Sequence, residues 1–170
     1  MNTPPLPTSI WVVAWASLAG QAVLLVREGL RTDDAVSLTL SVVLGALIVG
    51  YISAGVVRAR TVRLVLAWVV LVLSALAEVF ELFAADDAGE ALLVVLSLAT
   101  SAAALAGLAS FHGTAWFAWQ RQKPPAGEGA PIDQLVAIAV VVGVLGGITG
   151  PVDQGINARV RTAPQSSVSP

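Results

Sequence analysis

Two carboxylates, Glu78 and Glu81, stand near the end of a long run of aliphatic residues that holds no lysine or arginine between Leu64 and Ala85. Where such a run lies in lipid, a carboxylate is costly and usually faces the interior of a bundle or a wet cavity. There it can take a proton, pair with a cation, or accept hydrogen bonds. Spaced three apart, the two side chains fall on nearly one face of a helix. Ala67 and Ser74 share that face, with Arg60 and Arg63 at its far end. Counting back about eight residues from Asp86 places Glu78 roughly 12 Å below the acidic segment Asp86-Asp87.

Polar residues elsewhere match that depth if successive apolar runs alternate in direction. Gln21 lies late in the first run, Ser37 and Ser41 begin the second, and Ser97, Thr100 and Ser101 lie early in the fourth. One reading gathers Glu78, Glu81, Gln21, Ser97, Thr100 and Ser101 into an outward-facing polar cavity, where Glu78 takes a proton or cation. The other makes them interhelical hydrogen bonds of ~0.6–2 kcal/mol each, with Glu78 paired to Arg27 or protonated. The second is preferred from sequence, because nearness to an interface weakens the functional argument.

The elements that must position these groups follow from composition and pattern. Of 170 residues, 56% are hydrophobic and 12% charged, about half the ~25% charge of a soluble domain. The charges cluster between apolar runs at 10–26, 35–57, 64–85, 91–119 and 135–152. About 20 residues span a bilayer, which predicts an all-α, polytopic transmembrane bundle of four helices, with a fifth after a Pro/Gly linker. The fourth run is too long for one span. Its aromatic end, Phe111 to Trp119, reads as an interfacial extension, since aromatic rings favour the headgroup level. The expected organisation is a bundle over 1–123, a linker over 124–134, a fifth segment over 135–158 that either spans or re-enters, and a disordered Pro/Ser-rich tail over 159–170. With no basic residue before the first run, that run reads as a retained helix rather than a cleaved signal.

With the N-terminus in the cytoplasm, Arg58, Arg60, Arg63, Arg121 and Lys123 lie inside, and Arg27, Arg31, Arg159 and Arg161 outside. Five against four agrees with the positive-inside rule by a narrow margin. The same alternation places Trp11, Trp15, Tyr51, Trp68, Trp116 and Trp119 at one membrane face. Arg58, Arg60 and Arg63 read as a topology anchor that can also hold lipid headgroups.

Gly143, Gly146, Gly147 and Gly150 form two overlapping G-x-x-x-G spacings. Small residues four apart let another helix approach closely. The strip serves either a homo-oligomer or packing within the chain, and packing within the chain is favoured because the spacing is common in apolar segments. The acidic residues Glu28, Asp33, Asp34, Asp86, Asp87, Glu90 and Asp153 fall at the outer face, and a solvated cluster explains them without a specific metal. The chain has no cysteine, one histidine (His112) and one methionine, a poor inventory for metal or haem ligation. Net charge is −2, against nucleic acid as a partner. No nucleophile–base pair, zinc spacing or phosphate loop occurs.

The basic turn ahead of a tryptophan-bearing helix (Arg60-Thr61-Val62-Arg63-Leu64-Val65-Leu66-Ala67-Trp68) and the closing Ala115-Trp116-Phe117 resemble the uncharacterised small four-helix membrane proteins of actinobacterial type. The likeness covers about 10–123 and implies no activity, and the fifth segment departs from its pattern. The expectation is a non-enzymatic, multi-pass protein of a bacterial inner membrane without cofactor. It would be an accessory subunit to a membrane-protein partner or a self-associating bundle; the alternative is a small transporter or channel around Glu78 and Gln21.

Overall fold

A computed structural model describes residues 4–30, 35–122 and 132–149. The N-terminal residues 1–3, Gly150, the linker up to Pro131, the basic residues Arg31, Lys123, Arg159 and Arg161, the acidic residues Asp33, Asp34 and Asp153, and the 159–170 tail lie outside those residues. Among the described residues every regular element is a helix. Four long helices, α1 (Thr8–Glu28), α2 (Ala35–Val57), α3 (Thr61–Ala84) and α4 (Ala88–Phe111), contain 21 to 24 residues each. At 1.5 Å per residue they reach about 31–36 Å, and all four are long and apolar enough to cross a membrane. Their outward faces leave Val36, Leu40, Leu47, Phe80 and Phe83 exposed. An apolar surface of this extent needs lipid or a partner against it. The architecture is a polytopic transmembrane bundle.

Local chemistry fixes the turns. After α2 the chain makes a Schellman closure: Arg60 N–H donates to Gly55 O and Ala59 N–H to Val56 O, both at 2.9 Å. Ala59 takes the left-handed conformation, φ 49°, that glycine usually supplies there. At the opposite end, Asp87 caps α4 by accepting from Glu90 N–H, and the Glu90 carboxylate accepts from Asp86 N–H. This reciprocal arrangement satisfies donors that a helix start leaves free.

The fourth apolar run, whose aromatic end the sequence reads as an interfacial extension, is broken in the structure. After α4 the chain turns at His112-Gly113, and a separate short helix, α5 (Ala115–Arg121), follows. Thr114 makes the break, donating its hydroxyl to Phe111 O and accepting from Phe117 N–H. The aromatic segment also packs into the protein. Trp116 is only 1% exposed, and its indole N–H donates to Val57 O at 2.9 Å. The end of α2 has carbonyls without intrahelical donors, and the indole supplies one. Ile10, Val57, Leu64, Phe111 and Leu135 form a core with Trp116, and Trp11, Trp68 and Trp119 pack partly buried around it. Trp15 and Tyr51 remain on the outer surface.

The last helix, α6 (Asp133–Ile148), has 16 residues and extends about 24 Å. It begins beside the aromatic core through Leu135, and Thr149, just past its end, bridges to Leu30 beyond α1. It therefore runs the length of the bundle without turning back. Packing follows a closed order, α1 on α4, α4 on α3, α3 on α2, α2 on α6 and α6 on α1. Five helices make a ring.

The tightest contact in that ring is α2 against α6. A Cβ on Gly143 would lie 2.6 Å from Ala46 Cα and would collide with the Gly45 carbonyl. One on Gly147 would lie 2.6 Å from Val42 Cα. Backbones this close require small residues.

Candidate functional site

Within the ring lies a partly open cavity of about 260 Å³ lined from α1, α2, α3, α4 and α6. At the aromatic end it meets the buried core through Ile10, Val56, Val57, Leu108 and Leu135. Towards the other end its wall becomes polar. Glu78 enters from α3, Ser97, Thr100 and Ser101 from α4, and Gln21 from α1. Five of the six residues singled out from sequence thus line one space.

Glu78 is 7% exposed, and Ser97 has no exposure at all. Ser97 Oγ donates to Glu78 Oε1 at 2.6 Å, and Ser101 Oγ donates to the same oxygen at 3.0 Å. Positions 97 and 101 are four apart, so they stack on one face of α4, and α3 presents Glu78 to that face. Glu78 Oε2 is buried with no hydrogen-bond partner among the described residues. Buried carboxylate oxygens are normally satisfied, and an exception calls for an explanation such as an absent ion, water or ligand. Thr100 turns its hydroxyl onto Ser97 O at 2.7 Å, and Gly20 on α1 leaves the room it needs, since a Cβ there would lie 2.8 Å from Thr100 Oγ1. The Gln21 amide oxygen rests against Gly146, 3.3 Å from where a Cβ would stand.

The sixth residue does not belong to the cavity. Glu81 accepts a hydrogen bond and ion pair from Arg27 Nη1, while Arg27 Nη2 also lies 3.3 Å from Glu28. The alternative that paired Arg27 with Glu78 is likewise corrected. A three-residue step rotates a helix by about 300° and climbs roughly 4.5 Å. Glu81 is thereby brought level with the cation while Glu78 stays deeper.

Two polar wall residues went unremarked in the sequence, Ser17 on α1 and Ser53 on α2. Ser17 precedes Gln21 by four positions, a same-face signal that could have found it. Ser53 lies nearer the aromatic end, in the half of the chain where no polar gathering was sought.

The remaining candidates have other surroundings. Arg63 stacks its guanidinium 3.6 Å over the Tyr51 ring and donates to Tyr51 O at 3.2 Å. Arg58 and Arg60 are exposed at the same end. Arg121 donates to Thr61 Oγ1 at 3.0 Å, and His112 places Nδ1 2.9 Å from Leu108 O on its own helix. Among the described residues no three His, Cys, Asp or Glu side chains converge as a metal site would require. No family model, curated protein or solved structure matches this chain.

Proposed function

We propose that the protein is a small transporter of the cell membrane that binds a cation in the central cavity, with Glu78 as the charged recognition group. The observation that carries this reading is the state of Glu78. It is buried, fixed on one oxygen by two hydroxyls, free of any described cation on the second, and set in the wall of a cavity. A carboxylate serving only to pin helices gains nothing from an unsatisfied oxygen, since a buried acceptor left without a donor costs about 1–3 kcal/mol.

The accessory-subunit reading has less to stand on. Its best docking feature, the α6 glycine strip, is engaged inside the chain through Gly143 and Gly147 against α2, with Gly146 against Gln21. On the transporter reading α6 crosses the membrane with the other four, and the N-terminus is cytoplasmic. Exposed Arg58 and Arg60 then act as inside anchors.

The test is cation flux into proteoliposomes under an imposed gradient. Wild-type protein should give flux above empty vesicles, and Glu78→Gln should lower it at least tenfold while the thermal transition persists. Flux that ignores Glu78 rejects the reading, and a stoichiometric membrane partner recovered with silent vesicles would restore the accessory subunit.

A further inference from the structure

We infer that the ligand of this cavity is a small organic amine in its ammonium form, seated with its N–H groups on Glu78 and its apolar body in the rest of the cavity. The inference rests on the cation-binding reading above and names its substrate class.

The open acceptor argues for an N–H donor. Ser97 and Ser101 both spend their hydroxyl protons on Glu78 Oε1, and Oε2 receives none. A primary or secondary ammonium brings charge and several donors at once. A quaternary ammonium brings charge alone and would leave the oxygen unsatisfied.

The rest of the wall argues against a bare inorganic ion. Hard cations gather about six oxygens around themselves. Here, among the described residues, no second carboxylate lines the space, and apart from Glu78 its oxygen-bearing side chains are neutral hydroxyls and one amide. Away from Glu78, towards the aromatic end, the wall is chiefly aliphatic, including Val13, Ile52, Leu71, Leu108 and Val142. Such walls reward an apolar body removed from water and offer a naked ion nothing.

Size gives the third argument. A cavity needs only ~10–15 Å³ to hold one water, so about 260 Å³ is far too roomy for one ion. It falls just below the ~300–1,000 Å³ of sites for drug-sized molecules. A ligand of about ten non-hydrogen atoms suits it.

The experiment is calorimetric titration of the full chain in lipid nanodiscs with 2-phenylethylammonium chloride, neutral 2-phenylethanol, and sodium and potassium chloride. Saturable binding of the amine is expected, at least tenfold tighter than the alcohol. Glu78→Gln should weaken the amine at least tenfold. Ala139→Leu, which adds bulk from α6 across the ring, should do the same with the carboxylate intact, and thermal melts confirm that both variants fold. Amine heats unchanged in both variants would mean partition into lipid and overturn the inference. Sodium or potassium binding that depends on Glu78, without amine binding, would overturn the inference and leave the cation reading standing. No Glu78-dependent binding of any of these cations would overturn both.

Discussion

Arg27 on α1 reaches Glu81 on α3 and passes over Glu78, although α1 and α3 are not packed neighbours in the ring. The pair ties two helices across the end of the bundle and leaves the deeper carboxylate without a cation among the described residues. The Glu81 side chain is 42% exposed, and an ion pair so accessible to water contributes at most about 1 kcal/mol. Glu81→Gln should therefore shift the unfolding free energy by less than that and leave cavity binding unchanged. Loss of ligand binding in this variant would place Glu81 in the site after all.

Glu78 should behave in the opposite way. Glu78→Leu replaces a desolvated carboxylate by an apolar side chain of similar bulk, and the two freed serine hydroxyls can turn to carbonyls one turn back on α4. Stability in mixed micelles should stay level or rise, while cation binding disappears, the trade expected of a functional site. Ser97→Ala, which removes one donor, should cost about 1 kcal/mol, within the range for hydrogen bonds between membrane helices. A Glu78→Leu protein that keeps its binding would make the carboxylate irrelevant to ligand recognition.

Glycines in this chain should respond to substitution according to what lies opposite. Gly143→Leu drives a side chain into the α2 backbone near Ala46, and overpacking of this kind costs about 1–3 kcal/mol or more. Gly50 has nothing within 4 Å of a built Cβ. Gly50→Ala should stabilise its helix by roughly 0.5–1 kcal/mol. Thermal unfolding of the two variants should move in opposite directions, and parallel shifts would contradict the α2–α6 contact.

Spans were legible because apolar length is a nearly sufficient signal in lipid. The expected run 35–57 coincides with α2, and run 64–85 differs from α3 by a few residues at its start. Depth counting also brought Gln21, Glu78, Ser97, Thr100 and Ser101 together, since alternating helices fix height along the bundle normal. Rotation about each helix axis was not legible. Height and the three-residue spacing from Glu78 assigned Glu81 to the cavity, and only the reach of Arg27 shows which way it turns. The break after Phe111 was hidden for a similar reason. Thr114 is an ordinary helical residue by composition, and its capping role depends on the local backbone.

Trp116 offers a test of the aromatic end. Trp116→Phe keeps the ring volume near that site but removes the donor to Val57 O, and should cost about 1 kcal/mol. Trp15→Phe, at an exposed position, should change stability by less than half of that. Equal effects would show that the buried hydrogen bond adds nothing.

The cysteine-free chain lets topology be read directly. With the N-terminus inside, a cysteine placed at Ala88 should react with an impermeant thiol reagent added to intact cells, and one at Thr61 should react only after lysis. The reverse pattern would invert the proposed orientation.

The closing contact of the ring also sets an order of events. Helices α1 to α4 follow one another in the chain, yet α1 and α2 are joined side by side only through α6. A ribosome delivers the early helices first, so the nascent protein passes through a stage with a lateral slot between α1 and α2. Arrival of α6 closes that slot through its contacts with α1 and α2. On the cation-binding reading, the proposed site is thus completed only when α6, the last of the described helices, joins α1 and α2.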